Sequence, residues 1–250
     1  MAERTRELAE ANEELRKIDQ AKSDFLSTSA HELKTPLTSI KAIALTILDN
    51  PDMEVSTKTE FLSLVNSEVD RLTRLINDIL NLSKIEAGKL EWNMKEISLQ
   101  EVVESSVKNL RPLAAQKKLN IKMEAQDNLP IIVGDYERLI QVVTNLLSNA
   151  IKFTPEGSEI ETRIKQRHQP EEVLQVSVSD TGVGIAKEDL EKVFERFKQV
   201  GDKKSQGTGL GLTISREIVQ HHCGKIWVES ELGMGTTFHF TIPIKLRKEG

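Results

Sequence analysis

The chain has 250 residues, of which 38% are hydrophobic and 29% charged, and its formal net charge is −5 at pH 7. The length suits one large domain or two modest ones. The negative charge argues against a nucleic-acid binder, whose phosphate contacts need clustered Lys and Arg. The single cysteine, Cys223, excludes a disulfide framework and favours a reducing compartment. We find no run of about eighteen apolar residues and no leader, so we expect a cytoplasmic chain without direct membrane insertion; anchorage of a longer protein stays open.

Residues 1–22 are rich in good helix formers. Their apolar positions alternate spacings of three and four, a heptad seam with one polar interruption: Leu8, Ala11, Leu15, Ile18, Lys22 and Phe25. Since about three heptads are short, this pattern predicts a coiled-coil signalling connector only if the next segment also dimerises.

Residues 23–88 predict two long helices joined at Asn50-Pro51-Asp52. Pro36 lies inside the first helix and has no N–H for the Glu32 carbonyl, which predicts a bend just after His31. The second helix is expected to begin near Ser56 or Thr57, with Glu60 completing a capping box, and to end at Gly88. Its apolar residues again step by three and four: Leu62, Val65, Val69, Leu72, Ile76, Ile79 and Leu82. Because this face has no partner within residues 1–88, we expect two hairpins to form a dimeric four-helix bundle, hence a homodimer.

Residues 89–250 mix strands and helices in an order that predicts a sheet covered by helices on one face, an α/β sandwich. The whole chain is therefore expected to be α+β. The predicted strands are Glu91–Ser98, Leu119–Glu124, Ile131–Val133, Glu159–Gln166, Val173–Ser179, Lys225–Ser230 and Thr236–Ile244. The predicted helices are Leu99–Lys117, Tyr136–Phe153 and Thr208–His222, the last stopped by Gly224. Turns are expected at Gln169-Pro170 and around Gly233-Met234-Gly235.

Three stretches of this second half carry polar groups suited to a nucleotide. Asn145 and Asn149 are spaced i and i+4 with Lys152 close by, which suits hydrated Mg²⁺ and phosphates or, equally, a solvated polar stripe. Asp180 ends a strand and is followed by Gly182 and Gly184, which suits a carboxylate that accepts from a buried amino group or a hairpin turn. The third stretch, GTGLGL, spans residues 207–212 and would bring backbone N–H groups to a polyphosphate; alone it is weak, and it is not a Walker loop.

His31 alone is compatible with an ordinary surface histidine near a kink or with a reactive imidazole beside Glu32. The motifs together, however, are specific. In this order, AHELKTPL at 30–37, NLLSNAIKFT at 145–154, DTGVGI at 180–185, FERF at 194–197, GTGLGL and GMGT at 233–236 resemble the histidine protein kinases of two-component signalling. The resemblance covers residues 23–245 and implies a dimerisation and histidine-phosphotransfer domain at 23–88, followed by an ATP-binding domain of the GHKL (Bergerat) type at 89–250.

The resemblance also implies roles. His31 would be the phosphorylated nucleophile, Glu32 would orient the ring and accept its proton, and Thr35 would position water for a phosphatase reaction. Arg196 would neutralise the transferred phosphoryl group, and Lys198–Gln206 would form a lid. Asn149 and Asn145 would hold Mg²⁺, and the ATP site would comprise Asn145, Asn149, Lys152, Phe153, Asp180, Gly182, Gly184, Ile185, Gly207, Thr208, Gly209, Leu210, Gly211 and Thr236. The implied partners are a second copy, the receiver domain of a response regulator, and an upstream sensor domain outside this sequence.

The sequence departs from the family pattern at Ala30, Lys34 and Cys223, where serine, arginine and glycine are commoner; none removes a reacting group. His221, His222 and Cys223 are consecutive helical residues that cannot converge on one metal ion. Two alternatives stay open: an ATPase of the gyrase and chaperone kind, disfavoured because Asn145 stands where those proteins place a glutamate base, and a pseudokinase scaffold that binds ATP without transfer.

Overall fold

A computed structural model of the protein describes residues 2–168, 172–198 and 207–244. The chain divides into two compact units. The first comprises Met1–Leu80 with Gln206–Thr208, and the second comprises Asn81–Ser205 with Gly209–Gly250. The first unit is helical, and the second is built on a sheet.

Two long helices form the helical hairpin: α1, Ala2–Asp49, and α2, Val55–Glu86. The last residues of α2, from Asn81 onward, belong to the second unit. α1 continues through Pro36, so the bend expected there stays a prediction. The coiled coil also stays a prediction, because the side chains of its heptad residues before Phe25 lie outside the described part. Among the residues described, no helix is both long and apolar enough to cross a membrane.

The predicted start of α2 is wrong by one or two residues. The helix begins at Val55, and the Lys58 N–H already donates to the Glu54 carbonyl oxygen at 2.9 Å. Ser56 and Thr57 therefore lie within the first turn, and neither can be the N-cap of a capping box with Glu60.

The second unit contains a five-stranded sheet in the order β2-β4-β5-β7-β6 and a separate two-stranded pair, β1-β3. Among the pairings of the described strands, β2–β4 is parallel and the others are antiparallel. The strands are β1 Met94–Ile97, β2 Asn120–Ala125, β3 Ile132–Asp135, β4 Glu159–Arg167, β5 Val173–Asp180, β6 Lys225–Glu231 and β7 Gly235–Pro243.

Helices α3, Leu99–Gln116, α4, Tyr136–Phe153, and α5, Gly211–His221, pack on one face of this sheet. Alternate residues of the central strands are buried beneath them, as expected for a sheet with one covered face: Ile160, Thr162, Ile164, Leu174, Val176, Val178, Phe238, Phe240 and Ile242. The predicted α/β sandwich is confirmed.

Several predicted boundaries need correction. β1 is half as long as the predicted Glu91–Ser98, and α5 begins at Gly211 rather than Thr208. α5 ends at His221 with His222 as its C-cap, and the left-handed residue that follows the cap is Cys223, whose φ is +56°, rather than Gly224. Two short 3₁₀ turns, Lys187–Asp189 and Lys192–Phe194, were not predicted. The predicted Gln169-Pro170 turn lies outside the described residues.

Candidate functional site

The candidate phosphoacceptor, His31, lies exposed on α1. Glu32 follows it directly, and Thr35 lies one turn further along. The Thr35 hydroxyl donates to the His31 carbonyl oxygen at 3.2 Å, so its proton is directed at the helix backbone. His31 is therefore open to a second protein or domain, whereas Thr35 would have to rotate before it could donate to a water molecule.

Arg71 on α2 was not predicted as a site residue. Its guanidinium lies 3.8 Å from the Glu32 carboxylate and 3.7 Å from the Glu68 carboxylate. The side chains are about a quarter exposed, so the pairs are partly shielded from solvent. The contact joins α1 to α2 next to His31, and only the three-dimensional fold reveals it because the partners are far apart in sequence.

Asn145 and Asn149 lie on the same face of α4, as their spacing predicted, but their surroundings differ. The Asn145 amide nitrogen donates to Ser215 Oγ at 3.0 Å. Its oxygen adjoins Gly211, where an added Cβ would come within 2.3 Å. Asn145 thus links α4 to the start of α5, whereas the Asn149 amide makes no hydrogen bond to any described residue.

The end of α4 packs against the loop that follows β5. A Cβ at Gly182 would lie 2.6 Å from the Phe153 carbonyl oxygen, so only glycine allows this approach. The Lys152 ammonium lies 4.8 Å from the centroid of the Phe153 ring, which is 37% exposed. The fold therefore brings two separate sequence motifs, at 145–154 and 180–185, into direct contact.

Asp180 lies at the end of β5, opposite Thr236 in the β5–β7 register. Its Oδ1 accepts from the Gly182 N–H at 2.8 Å, and the Thr236 backbone also donates to the carboxylate. Burial raises the pKa of the Asp180 carboxyl, and these two hydrogen bonds oppose that shift. Asp180 is thus a half-buried acceptor held in a fixed orientation, which suits recognition of an amino group.

Ser230 is a second residue of the site that no sequence motif predicts. Its Oγ accepts from the Ile185 N–H at 2.8 Å and donates to the Gly235 carbonyl oxygen at 2.7 Å. The Gly233 N–H adds a further bond, to the Val183 carbonyl oxygen at 2.8 Å. These bonds fasten the 180–185 loop to the β6–β7 turn.

The second glycine of this loop, Gly184, cannot be replaced by a residue with a side chain. Its φ is +70°, and an added Cβ would come within 2.1 Å of the Glu231 carbonyl oxygen. Both the conformation and the space exclude a side chain there. Thr236 is buried close by, and its hydroxyl lies 3.0 Å from Ser230 Oγ.

The glycine-rich stretch before α5 is divided between the two units. Gly207 and Thr208 group with the helical unit, where Thr208 donates to Asp78 at 2.7 Å. Gly209 and Gly211 belong to the sheet unit, and Leu210 between them is fully buried there. α5 begins at Gly211, whose backbone packs against the Asn145 side chain.

Arg196 is exposed and forms an ion pair with Glu86, so in this conformation its charge is already matched. Phe194, two residues earlier, is buried against Phe238, with ring centroids 6.3 Å apart. Its carbonyl oxygen accepts from the Thr213 hydroxyl at 3.0 Å. The FERF motif thus anchors one side of α5. The predicted lid, Lys198–Gln206, falls outside the described residues from 199 onward.

The donor set suits Mg²⁺ better than a metal that needs imidazole or thiolate ligands. Within the described residues, no three His, Cys, Asp or Glu side chains converge on a common point. His222 is buried and bonded to two backbone groups, the Asp135 N–H and the Ile218 carbonyl oxygen, and Cys223 is exposed. An amide oxygen such as that of Asn149 fits Mg²⁺, which prefers oxygen ligands and keeps several waters.

Comparison with known proteins gives the class. Residues 134–246 match the family model described as histidine kinase-, DNA gyrase B- and HSP90-like ATPase. Residues 21–88 match the model described as His Kinase A (phospho-acceptor) domain. The fold and the site define an ATPase-like sheet domain together with a phosphoacceptor hairpin. The chain belongs to the sensor histidine kinases.

Individual relatives and solved structures that are similar to this chain are also histidine kinases or sensory proteins. Drug sensory protein A of Synechocystis is 38% identical over 91% of this chain, and the chain spans 36% of that protein's length. The histidine kinase ThkA, solved in complex with the response regulator TrrA, has a TM-score of 0.71 and 25% identity over 89% of this chain and 61% of its own. Full-length ShkA, solved with AMPPNP, has a TM-score of 0.66 and 28% identity over 90% of this chain and 47% of its own.

Proposed function

We propose that this protein uses ATP to phosphorylate His31 and passes the phosphoryl group to an aspartate of a response regulator. An imidazole nitrogen of His31 attacks the γ-phosphorus, an N–P bond forms, the bond to the ADP oxygen breaks, and the ring proton passes to Glu32. In the second step the aspartate carboxylate attacks phosphorus, the N–P bond breaks, and His31 regains a proton.

One observation carries this proposal. The sheet unit holds Asp180, the glycine loops and the end of α4 in mutual contact, while the helical unit carries the exposed His31. In the proposed site, Asp180 accepts from the adenine amino group, with Ile185 and Leu210 as apolar walls. Lys152 pairs with the phosphates. The ShkA structure contains an ATP analogue, which supports ATP as the substrate.

Asn149 is the residue proposed to hold Mg²⁺, since its amide is not committed to another described residue. When bound, Mg²⁺ offsets the charge on the ATP phosphates. Asn145 was predicted as a second ligand. Its contacts with Ser215 and Gly211 favour a role in joining α4 to α5 in the present conformation.

The experiment that tests the proposal is incubation with γ-labelled ATP and Mg²⁺. A phosphoryl group on histidine is labile to acid and stable to alkali, so the label should be lost at low pH. His31→Gln should remove all labelling. His168→Gln, at a histidine whose side chain is 66% exposed, should leave labelling intact. Labelling retained by His31→Gln would overturn the proposal.

The homodimer is part of the same proposal. Apolar residues of the predicted α2 seam remain exposed in the single chain: Leu62 is 53%, Val69 43% and Ile76 42% exposed. A second copy would cover this face. We expect a dimer by light scattering and a shift toward monomer for Val69→Asp, whereas Ser63→Asp, at an exposed polar position on the same helix, should stay dimeric. A monomeric wild-type chain would contradict this part.

Transfer to a receiver domain is supported by the ThkA complex with its response regulator. We also propose phosphatase activity toward that regulator, carried by the Thr35 hydroxyl after it leaves the His31 carbonyl oxygen. Thr35→Ala should abolish dephosphorylation of the phosphorylated regulator and retain labelling of His31. Thr38→Ala is the control, because Thr38 makes the same type of bond, to the Lys34 carbonyl oxygen, one turn away.

No observation favours the two alternatives. A hydrolase of the gyrase kind needs a base where Asn145 stands, and an amide does not titrate. A pseudokinase scaffold would bind ATP and leave His31 unlabelled, so the labelling experiment separates it. The use of ATP and the single Cys223 favour the cytoplasm as the location.

A further inference from the structure

Lys117, which follows α3, makes three hydrogen bonds to the end of a different helix. Its ammonium donates to the carbonyl oxygens of Ile151 at 2.8 Å, Lys152 at 2.9 Å and Thr154 at 3.2 Å. A lysine ammonium has three N–H donors, so these contacts use all of them. Lys117 therefore has no donor left for a ligand.

The three acceptors are carbonyl groups of the kind that a helix leaves without partners at its C-terminus. They also lie at the negative end of the helix dipole, where a cation is favourable. Lys117 thus acts as a side-chain cap for α4, supplied from outside the helix. Its own carbonyl oxygen accepts from the Gly157 N–H at 3.2 Å, which ties it to the turn after α4 as well.

The fourth carbonyl in this turn, that of Phe153, faces the site. It points at Gly182, where an added Cβ would lie within 2.6 Å of it. The turn that Lys117 holds is therefore the same one that carries Lys152 and meets the loop after Asp180. A displacement of this turn would move the proposed phosphate-binding side chain and the backbone next to the proposed adenine acceptor together.

We propose that Lys117 is a positioning residue of the nucleotide site, which fixes the last turn of α4 and through it Lys152 and the 180–185 loop. The inference rests on the proposed ATP binding by this unit. It assigns to Lys117 an effect on nucleotide affinity that is exerted through the α4 backbone, without contact to the nucleotide.

The test compares Lys117→Met, which keeps the aliphatic stem and removes the donors, with Lys118→Met. Lys118 is the matched control, because its neighbouring ammonium pairs with the exposed Glu156 and its side chain is 77% exposed. Affinity for a fluorescent ATP analogue with Mg²⁺ is measured well below the unfolding midpoint of each variant. We expect Lys117→Met to weaken binding about tenfold, which corresponds to loss of one charged hydrogen bond, here the contact of Lys152 with the phosphates. We expect Lys118→Met to bind like the wild type.

Two further variants separate positioning from a general loss of stability. Lys117→Arg keeps a cation with several donors and should restore most of the affinity. In a protein that already carries Lys152→Ala, Lys117→Met should weaken binding of the analogue less than it does in the wild type, because both substitutions act on the same phosphate contact. If Lys117→Met does not fold, Lys117→Gln, which keeps two donors, replaces it and should lose less affinity.

Wild-type affinity in Lys117→Met at these temperatures would overturn the inference, as would full additivity with Lys152→Ala. If instead the proposed function is wrong, the wild-type chain itself will bind no ATP analogue, and this outcome is distinguishable from the two results above.

Discussion

Ser230 Oγ accepts a hydrogen bond from the Ile185 N–H at 2.8 Å and thereby joins the loop after β5 to the β6–β7 turn. The same oxygen donates to the Gly235 carbonyl oxygen at 2.7 Å. One hydroxyl thus satisfies two backbone groups in a half-buried position. The wall of the proposed adenine site depends on this bond.

Ser230→Ala should lower the free energy of unfolding by about 1–3 kcal/mol, because the Ile185 N–H loses its partner. It should also weaken binding of ATP analogues. Chemical denaturation and analogue titration measure the two effects. Ser83→Ala, at an exposed serine of α2, should change neither, and an equal effect of the two substitutions would contradict the role of Ser230.

Asp180→Asn should weaken binding of ATP analogues by about 10- to 100-fold, since a hydrogen bond to a charged acceptor is replaced by one to a neutral amide. Adenine-containing and adenine-free triphosphates distinguish the cause, because only the former can lose this contact. Asp127→Asn, at an exposed aspartate, is the control. Equal losses for both kinds of triphosphate would refute recognition of adenine by Asp180.

The raised pKa of the Asp180 carboxyl predicts opposite effects of acid on binding and on stability. Burial places its folded-state pKa above the ordinary value of 3.8, so the folded protein takes up this proton first as the pH falls. Its contribution therefore favours the folded state as the pH falls through the folded-state pKa. Adenine recognition should decline over the same range, and Asp180→Asn should lack this component. Calorimetric titrations at several pH values measure it.

His222 should make the sheet unit less stable in acid. Its Nε2 accepts from the Asp135 N–H at 2.8 Å, so Nδ1 carries the proton that is shared with the Ile218 carbonyl oxygen at 2.7 Å. Burial lowers the pKa of His222 from 6.5; the hydrogen bond to the Ile218 carbonyl oxygen opposes this shift, nearby His221 adds to it, and Asp135 opposes it.

The unfolded chain then binds this proton first, so the contribution of His222 to stability is complete above pH 6.5 and declines as the pH falls toward the folded-state pKa. Denaturation at pH 7.5 and pH 5.5 should show a smaller difference for His222→Gln than for the wild type. His168→Gln, at an exposed histidine, should keep the wild-type difference. Identical differences in all three proteins would disprove the prediction.

Cys223→Gly should stabilise the protein by about 1 kcal/mol. Cys223 follows the C-cap of α5, His222, and has a φ of +56°, the left-handed conformation that glycine adopts without strain. The bond from the Gly224 N–H to the Val219 carbonyl oxygen at 2.9 Å completes the turn and needs no side chain at position 223. Cys223→Ala keeps a Cβ and should give no gain, so equal stabilities of the two variants would exclude strain as the cause.

Helices with a regular apolar period and a cap residue are predicted well from the sequence. The helix Tyr136–Phe153 was predicted to the residue, because its apolar period is regular and Asp135 caps it. The sequence predicts the start of α5 three residues too early, because GTGLGL has no cap residue and the boundary depends on the packing of Leu210 and Gly211. At the end of α5, the frequency of glycine after helices favours Gly224 as the left-handed residue, whereas the structure places Cys223 in that conformation.

The residues that the sequence did not reveal all act across elements. Lys117 caps α4 from the end of α3, Ser230 joins a loop to a distant turn, and Arg71 meets Glu32 from another helix. Each is a common residue in a segment without a motif. Their importance follows from which backbone groups they reach, and spacing along the chain carries no information about that.

If ATP bound in the sheet unit phosphorylates His31, the label must lie on that histidine and must depend on the nucleotide site. Peptide mapping of the labelled protein under alkaline conditions tests it most directly, with wild type compared with Asn149→Ala at the same ATP concentration. We expect a phosphoramidate on the peptide that contains His31 in the wild type and none in Asn149→Ala. A phosphoryl group on another residue, or labelling of His31 that persists in Asn149→Ala, would contradict it.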